Sequence, residues 1–209
     1  MSLVELAPRK MPRQARSQAT FAAIVDACGL VLANGSYETL TTNHISERAG
    51  VSIGTLYEYF PNREAIVAAL AANSCRRLVL RMEAAMAETV GMDDLEGVMH
   101  LLSTGVSALS AQDCAFKVLL RETPFVAQLP AFQEARESLT GLCQTIRVHA
   151  ADRVNLPHPQ VDTWLISQML FAAMLEIAFL DADADERALR LGELGRLTFR
   201  MATGRDLEG

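Results

Sequence analysis

Hydroxyl, amide and guanidinium groups are concentrated between residues 41 and 63 of this 209-residue chain. Ser52 and Thr55 lie three residues apart, and Tyr57, Tyr59 and Arg63 follow them closely. Groups of these types donate hydrogen bonds to phosphate oxygens and to base edges, as do the free N–H groups at the start of a helix. Helix capping alone would also account for Ser52, while aromatic packing or a solvated arginine would account for the others.

Apolar spacing and turn residues predict the helices that position these groups. Apolar side chains recur with helical spacing from Phe21 to Leu32, and Asn34-Gly35 then indicates a helix end, because both residue types tolerate left-handed backbone. The hydroxyls of Thr41-Thr42 can cap a second helix, about two turns long, that runs through Ile45 to Ala49.

A glycine turn separates this second helix from a third. Gly50-Val51-Ser52 supplies the turn glycine, an apolar residue and a capping hydroxyl, so a third helix is predicted from Ile53 to about Phe60. Asn62 can cap a fourth helix that begins at Arg63. Two short helices joined in this way are typical of a helix-turn-helix, whose second helix enters the DNA major groove. Many helical hairpins contain a turn glycine, however, so the spacing alone leaves DNA binding open.

Particular side chains add to this spacing. The run from Ala49 to Phe60 reads AGVSIGTLYEYF, and the other informative positions are Asn34-Gly35-Ser36-Tyr37, Thr41-Thr42, Ile45-Ser46-Glu47-Arg48 and Arg63-Glu64-Ala65. Over about residues 20 to 70 the chain resembles the N-terminal domain of the tetracycline-repressor (TetR) family of bacterial transcription regulators. The resemblance implies an all-α protein with an N-terminal three-helix helix-turn-helix domain and a C-terminal helical domain for ligand binding and dimerisation. We expect a basic arm at residues 1–16, the helix-turn-helix domain at 17–62 and the helical domain at 63–209.

The resemblance assigns DNA contacts to the second and third helices. It implies that Tyr57 contacts phosphate, that Tyr59 reaches the backbone or a base, and that Arg63 lies where the family commonly carries a phosphate-binding cation. Gly54 either lets the backbone approach DNA closely or marks a tight contact between helices. The predicted set is Thr41, Thr42, Asn43, Ser52, Ile53, Gly54, Thr55, Tyr57, Tyr59 and Arg63.

Charge is distributed unevenly along the chain, whose formal net charge is −6. Residues 9–63 hold six cations and four anions, whereas residues 64–209 hold 13 cations and 20 anions. Glu58 is unexpected on a DNA-facing helix, because phosphates repel a carboxylate unless it accepts from cytosine N4. The arm either strengthens binding through counterion release or is a disordered tail. Its cations are Arg9, Lys10, Arg13 and Arg16.

The remaining residues predict a helical body. Helices are expected near 64–90, 94–111, 113–122, 126–150, 160–181 and 185–203. The stretch Val161 to Leu180 is apolar nearly all round and should be buried on more than one side, in part against the stripe Leu191, Leu194, Leu197 and Met201. Two such helices from each of two subunits would form a four-helix interface, where the resemblance also places dimerisation, although a monomeric core is the alternative.

Methionine and aromatic side chains of the body suggest a pocket for a small apolar effector, since both adapt to varied apolar ligands. Core packing would account for any one of them equally well. The candidate lining residues are Met82, Met86, Met99, Leu102, Phe116, Leu120, Phe125, Trp164, Met174 and Phe179.

Catalytic, metal and membrane roles find no support. Gly105-Val106-Ser107 lacks the second glycine of a nucleophile elbow, and no HExxH, phosphate loop or CxxC occurs, so neither an enzyme, a cofactor nor a bound metal is expected. No stretch reaches about 18 uncharged apolar residues, and the N-terminal pattern is the reverse of a secretory signal. A cytoplasmic protein without a membrane partner is therefore predicted.

These patterns together favour a ligand-responsive homodimeric repressor that binds a palindromic double-stranded DNA operator through the helix at residues 53–60. The alternative is a helical module that binds small molecules or a protein partner and has lost operator binding. Glu58 and the weak positive charge of residues 9–63, which we call the head, would suggest this alternative.

Overall fold

The computed structural model describes residues 5–110, 114–123 and 125–204, without the side chains of Cys114 and Ala127. Every regular element in these ranges is helical, which confirms the all-α prediction. The α-helices are α1 (Ala15–Ala33), α2 (Thr42–Ala49), α3 (Ile53–Tyr59), α4 (Arg63–Glu88), α5 (Asp94–Ser110), α6 (Cys114–Glu122), α7 (Pro130–His149), α8 (Pro159–Phe179) and α9 (Ala184–Thr203). A short 3-10 helix, Val126–Gln128, precedes α7.

Side-chain caps begin the helices around the turn, as the sequence predicts. The Thr41 hydroxyl accepts a hydrogen bond from His44 N at 3.2 Å, and the Ser52 hydroxyl accepts one from Thr55 N at 3.0 Å. The Asn62 carboxamide oxygen likewise accepts from Ala65 N at 2.8 Å in the first turn of α4. Each cap satisfies an N–H group that has no partner within its own helix.

The end of α1 differs from the prediction in its backbone conformation. Asn34 follows the helix with φ −107° and ψ 5°, which is not left-handed. Its side-chain amide donates instead to Leu30 O at 2.8 Å, so the asparagine ends the helix by hydrogen bonding. Within the described residues, positive φ occurs at Gly50, Gly91 and Gly204.

Helix α7 begins at Pro130, four residues later than predicted. Leu129 is extended, with φ −64° and ψ 133°, because a following proline disfavours helical backbone at the preceding residue. Proline then suits the first helical position, where its missing N–H leaves no hydrogen bond unmade. The apolar spacing of residues 126–150 did not reveal this break.

The described residues form two compact units. The first contains residues 5–76, 114–123 and 125–133, and the second contains 77–110 together with 134–204. In the first, α1 packs against α2 and α6, and α2 packs against α3. In the second, α5 packs against α8 and α9, which also contact each other.

Helix α8 is long and apolar enough to span a bilayer, the one described helix that meets this test. The criterion uses length and composition only, and a core helix of a soluble protein meets it equally well.

Candidate nucleic-acid interface and ligand cavity

The turn between α2 and α3 is built on one left-handed glycine and one buried leucine. Gly50 ends α2 with φ 67° and ψ 30°, a backbone conformation that costs glycine little. Leu56 of α3 is fully buried, as are Ile45 of α2 and Phe60 after α3. Burial of these side chains holds one face of α3 inside the first unit and leaves the other face of α3 to solvent.

The outer face of α3 is free to contact another molecule. Ile53 and Tyr57 are 39% and 38% exposed to solvent, and Gly54 and Glu58 are also exposed. A Cβ added to Gly54 would have the Ser52 hydroxyl, 3.8 Å away, as its nearest neighbour. The tight helix contact considered for Gly54 is therefore absent, and its backbone lies open on this face.

Hydroxyl groups pair at the start of α3 and between α2 and α3. The Tyr57 phenol lies 3.1 Å from the Thr42 hydroxyl, and the Ser52 and Thr55 hydroxyls lie 2.9 Å apart. Because Thr41 and Ser52 also accept from backbone N–H groups, their oxygens already serve the helix starts. Asn43 is exposed at the start of α2 beside Thr42.

Tyr59 lies in the core of the head and not on this outer face. It keeps 7% of its exposure, and its ring meets Phe21 edge-on with centroids 6.1 Å apart. The sequence left aromatic packing open for both tyrosines. Tyr59 packs in this way, whereas Tyr57 is exposed.

Arg63 is engaged within the first unit. Its Nη1 donates to Leu40 O at 2.8 Å, its Nε donates to Glu64 at 2.9 Å, and its guanidinium lies 4.7 Å from the centre of the Tyr37 ring. The hydrogen bond with Glu64 raises the pKa of Arg63 above its ordinary value. This arginine therefore braces the connection between α1 and α2 against the start of α4.

Tyr37 extends this brace to α6. Its backbone N–H donates to the Glu122 carboxylate at 3.0 Å, and its ring meets Phe125 at 6.0 Å. The Tyr37 phenol also donates to Glu64 at 3.3 Å. Burial is the main cause that raises the pKa of Tyr37, and the nearby Glu64 carboxylate adds to it.

Part of the N-terminal arm is attached to the head. Arg9 donates its backbone N–H to Tyr59 O at 2.8 Å and its guanidinium to Tyr57 O at 3.2 Å, at the end of α3. Lys10, Arg13 and Arg16 are exposed, and Arg16 lies within the first turn of α1. Cations are thus available beside α3, which itself carries none.

The second unit contains an apolar cavity of about 140 Å³. Four of the predicted lining residues contribute to its wall: Met82, Met86, Leu102 and Met174. The others lie elsewhere: Met99 packs against Gly195, Phe116, Leu120 and Phe125 belong to the first unit, Trp164 is 52% exposed, and Phe179 is not part of the wall.

Helix α7 contributes wall residues that the sequence pattern did not single out, namely Leu139, Leu142, Cys143, Ile146 and Arg147. These residues recur with helical spacing, and that spacing could have indicated a shared face of α7. On this apolar stripe Arg147 is a cation one turn beyond Cys143. Burial raises the pKa of the Cys143 thiol to about 11.

One side of α8 is buried and the other is not. Thr163, Ser167, Met174 and Ile177 are buried within the chain. Large apolar side chains remain exposed on both α8 and α9, namely Val161, Trp164, Leu165, Met169, Leu189, Leu197 and Met201. The sequence predicts that α8 is buried on more than one side. Within the described part of a single chain, one side is covered and the other remains exposed.

An all-helical chain whose head carries a helix-turn-helix has the architecture that DNA-binding transcription regulators use. Residues 24–70 match the family model described as "Bacterial regulatory proteins, tetR family", so the head of this chain is similar to that of TetR-family regulators.

Several known proteins similar to this chain are transcription regulators. The HTH-type transcriptional repressor KstR of Rhodococcus jostii (strain RHA1) is 26% identical over 147 residues, which are 68% of each chain. A TetR-family regulator from Pectobacterium atrosepticum superposes with a TM-score of 0.70 at 18% identity, over 94% of this chain and 100% of that one. The regulator FadR from Bacillus subtilis, solved in complex with stearoyl-CoA, superposes with a TM-score of 0.65 at 22% identity, over 88% and 99%. At identities of 18% and 22%, these two structures show that the chain shares their fold.

Proposed function

We propose that the protein is a ligand-responsive repressor that acts in the bacterial cytoplasm as a homodimer and binds a palindromic operator through α3. The observation that carries this proposal is the exposed face of α3, where Tyr57 and Ile53 remain open beside a glycine that leaves the backbone accessible. A helix held by one face and open on the other is suited to the major groove.

The contacts divide between phosphates and bases. Thr42, Asn43, Tyr57 and the N–H groups at the start of α3 position the protein on phosphates, while Ile53, Gly54 and Thr55 face the base edges. Thr41 and Ser52 act chiefly as caps. Tyr59 and Arg63 are left out of this set, because the first is buried and the second is engaged by Leu40 and Glu64.

Dimerisation accounts for the uncovered apolar side chains of α8 and α9. A contiguous exposed apolar surface is unfavourable in water and commonly marks an interface. A pair of helices from each subunit would bury it in an isologous four-helix contact. Two subunits then supply two recognition helices, as two half-sites of a palindrome require.

The cavity is the effector site in this proposal. FadR, solved in complex with stearoyl-CoA, shares the fold, and the cavity of this chain is walled mainly by apolar side chains. Its volume of about 140 Å³ is close to that of a cavity which admits benzene, so a larger effector would have to displace wall residues. Met82 and Met86 belong to α4, and their displacement would shift the helix that begins beside the head.

Titration of DNA from upstream of the protein's own gene, measured by fluorescence anisotropy at several salt concentrations, tests operator binding. Binding should weaken steeply as salt rises, and Tyr57→Phe should weaken it on all sequences alike, whereas substitutions at Thr55 should change sequence preference. An effector should reduce DNA affinity roughly 5- to 150-fold and should itself bind the DNA complex more weakly by the same factor. Binding that ignores salt and sequence would refute the proposal.

A further inference from the structure

Arg147 is the one charged side chain in the described wall of the cavity. Its Nε is buried and has no hydrogen-bond partner among the described residues. A buried donor without a partner is destabilising, and the penalty is larger for a charged group. Arg147 therefore places at the cavity wall a cationic side chain whose buried Nε has no partner among the described residues.

The hydroxyl groups of the wall are satisfied within their own helices. Thr163 donates to Pro159 O at 2.6 Å, Ser167 to Trp164 O at 2.7 Å and Thr198 to Leu194 O at 2.7 Å. The remaining polar wall residue, Cys143, has a thiol whose pKa burial raises to about 11, so it stays uncharged at neutral pH. Unused donor capacity for a ligand is thus concentrated at Arg147.

We infer that the cavity binds an apolar molecule bearing a single carboxylate, with that carboxylate paired to Arg147. The inference rests on the proposed role of the cavity as the effector site. A planar guanidinium matches a carboxylate through parallel N–H···O bonds, and the surrounding aliphatic wall accommodates the hydrocarbon part. A phosphate group has more charge and more acceptor oxygens than one guanidinium in an apolar wall can satisfy.

Calorimetry with three eight-carbon probes tests the inference on the full-length protein. Octanoate carries the carboxylate, 1-octanol lacks the charge, and octanoyl-CoA places its charges on phosphates remote from the chain. Octanoate should bind roughly 10- to 100-fold more tightly than 1-octanol, the range expected for a charge-assisted hydrogen bond. This comparison uses the unaltered protein and so does not depend on the folding of any variant.

Substitutions then locate the charge. Arg147→Gln should remove the preference for octanoate and leave 1-octanol unaffected, whereas Arg147→Lys should retain part of it. Arg81→Gln is the matched control, because Arg81 is an exposed arginine of the second unit that does not belong to the wall. Ala202→Phe, which places a ring in the cavity, should weaken both probes.

The results separate the inference from the broader proposal. If 1-octanol binds as tightly as octanoate, or Arg147→Gln leaves octanoate unchanged, the carboxylate assignment is overturned while the effector site stands. If octanoyl-CoA binds most tightly and Arg147→Gln does not affect it, a thioester ligand replaces the carboxylate. If Ala202→Phe changes the binding of no probe, the effector role of the cavity fails together with the inference.

Discussion

Arg63 shows how a single side chain can brace the segments that carry a candidate DNA-binding surface. Its guanidinium connects Leu40 O, Glu64 and the Tyr37 ring, and its side chain retains 32% exposure. Three internal partners leave it little freedom to follow a phosphate. The arm residues Lys10 and Arg13, by contrast, are exposed, and they follow Arg9, which contacts the end of an α3 that lacks cations.

Replacing Arg63 and Arg13 should therefore have opposite consequences. Arg63→Ala should lower the free energy of unfolding by about 1 to 2 kcal/mol and leave the salt dependence of DNA binding unchanged, because it removes internal hydrogen bonds. Arg13→Gln should leave stability unchanged and reduce the slope of log K against log salt by about 0.9. Urea unfolding and anisotropy titrations provide the two readouts. A reduced slope for Arg63→Ala would return it to the DNA interface.

The thiol of Cys143 should report on the cavity through its reactivity. Burial raises its pKa from 9.0 to about 11, so at pH 8 its thiolate fraction should be roughly 100-fold below that of an unperturbed thiol. The rate of alkylation at Cys143 should keep rising up to about pH 11, whereas the rate for an unperturbed thiol levels off near pH 9. Mass spectrometry on a Cys114→Ser background would follow the site. A plateau near pH 9 would contradict the buried position.

At the scale of elements, the angle between α2 and α3 depends on the left-handed backbone of Gly50. A Cβ at this position would meet nothing within 4 Å, so any cost of a substitution arises from backbone strain alone. The same holds sterically for Gly141, but that residue lies inside α7, where φ is negative.

Alanine substitutions at these two glycines should change stability in opposite directions. Gly50→Ala should destabilise the protein by about 1 to 2 kcal/mol and weaken DNA binding, since alanine resists left-handed backbone. Gly141→Ala should stabilise it by up to about 1 kcal/mol, because alanine favours a helix interior. Thermal unfolding measured by circular dichroism would compare them. Equal shifts for both variants would show that Gly50 does not determine the turn.

For the whole molecule, the two sides of α8 have different predicted roles. Met174 is 7% exposed, and its sulfur would lie 2.7 Å from a Cβ at Gly105, so α5 and α8 approach closely there. Met169 is 55% exposed on the opposite side. Leu170 and Met174 both belong to the cavity wall, so a charge at either would disturb the cavity as well as any dimer contact.

A charge at Met169 should dissociate the proposed dimer without unfolding the chain. Met169→Asp would place an unpaired carboxylate in a dry interface, at a cost of about 3 to 5 kcal/mol. Val148→Asp, at an exposed apolar residue of α7, is the control and should leave the assembly unchanged. Light scattering would give the mass and circular dichroism the helicity. If a folded dimer persists with Met169→Asp, the interface lies elsewhere.

The sequence by itself determined the features that depend on near neighbours along the chain. Helix starts at Thr41, Ser52 and Asn62 follow from hydroxyl or amide oxygens three residues before a free N–H, and the left-handed turn follows from glycine at position 50. These interactions close within one helical turn, so the residue types specify them.

Only the tertiary structure decided which way each side chain faces across distant segments. Tyr57 and Tyr59 are two residues apart, yet one is exposed and the other packs on Phe21, 38 residues away in the chain. Arg63 meets Leu40 O, and residues of α4, α5, α7, α8 and α9 jointly enclose the cavity that contains Arg147. Such contacts depend on how whole helices pack, which the local pattern of residue types does not specify.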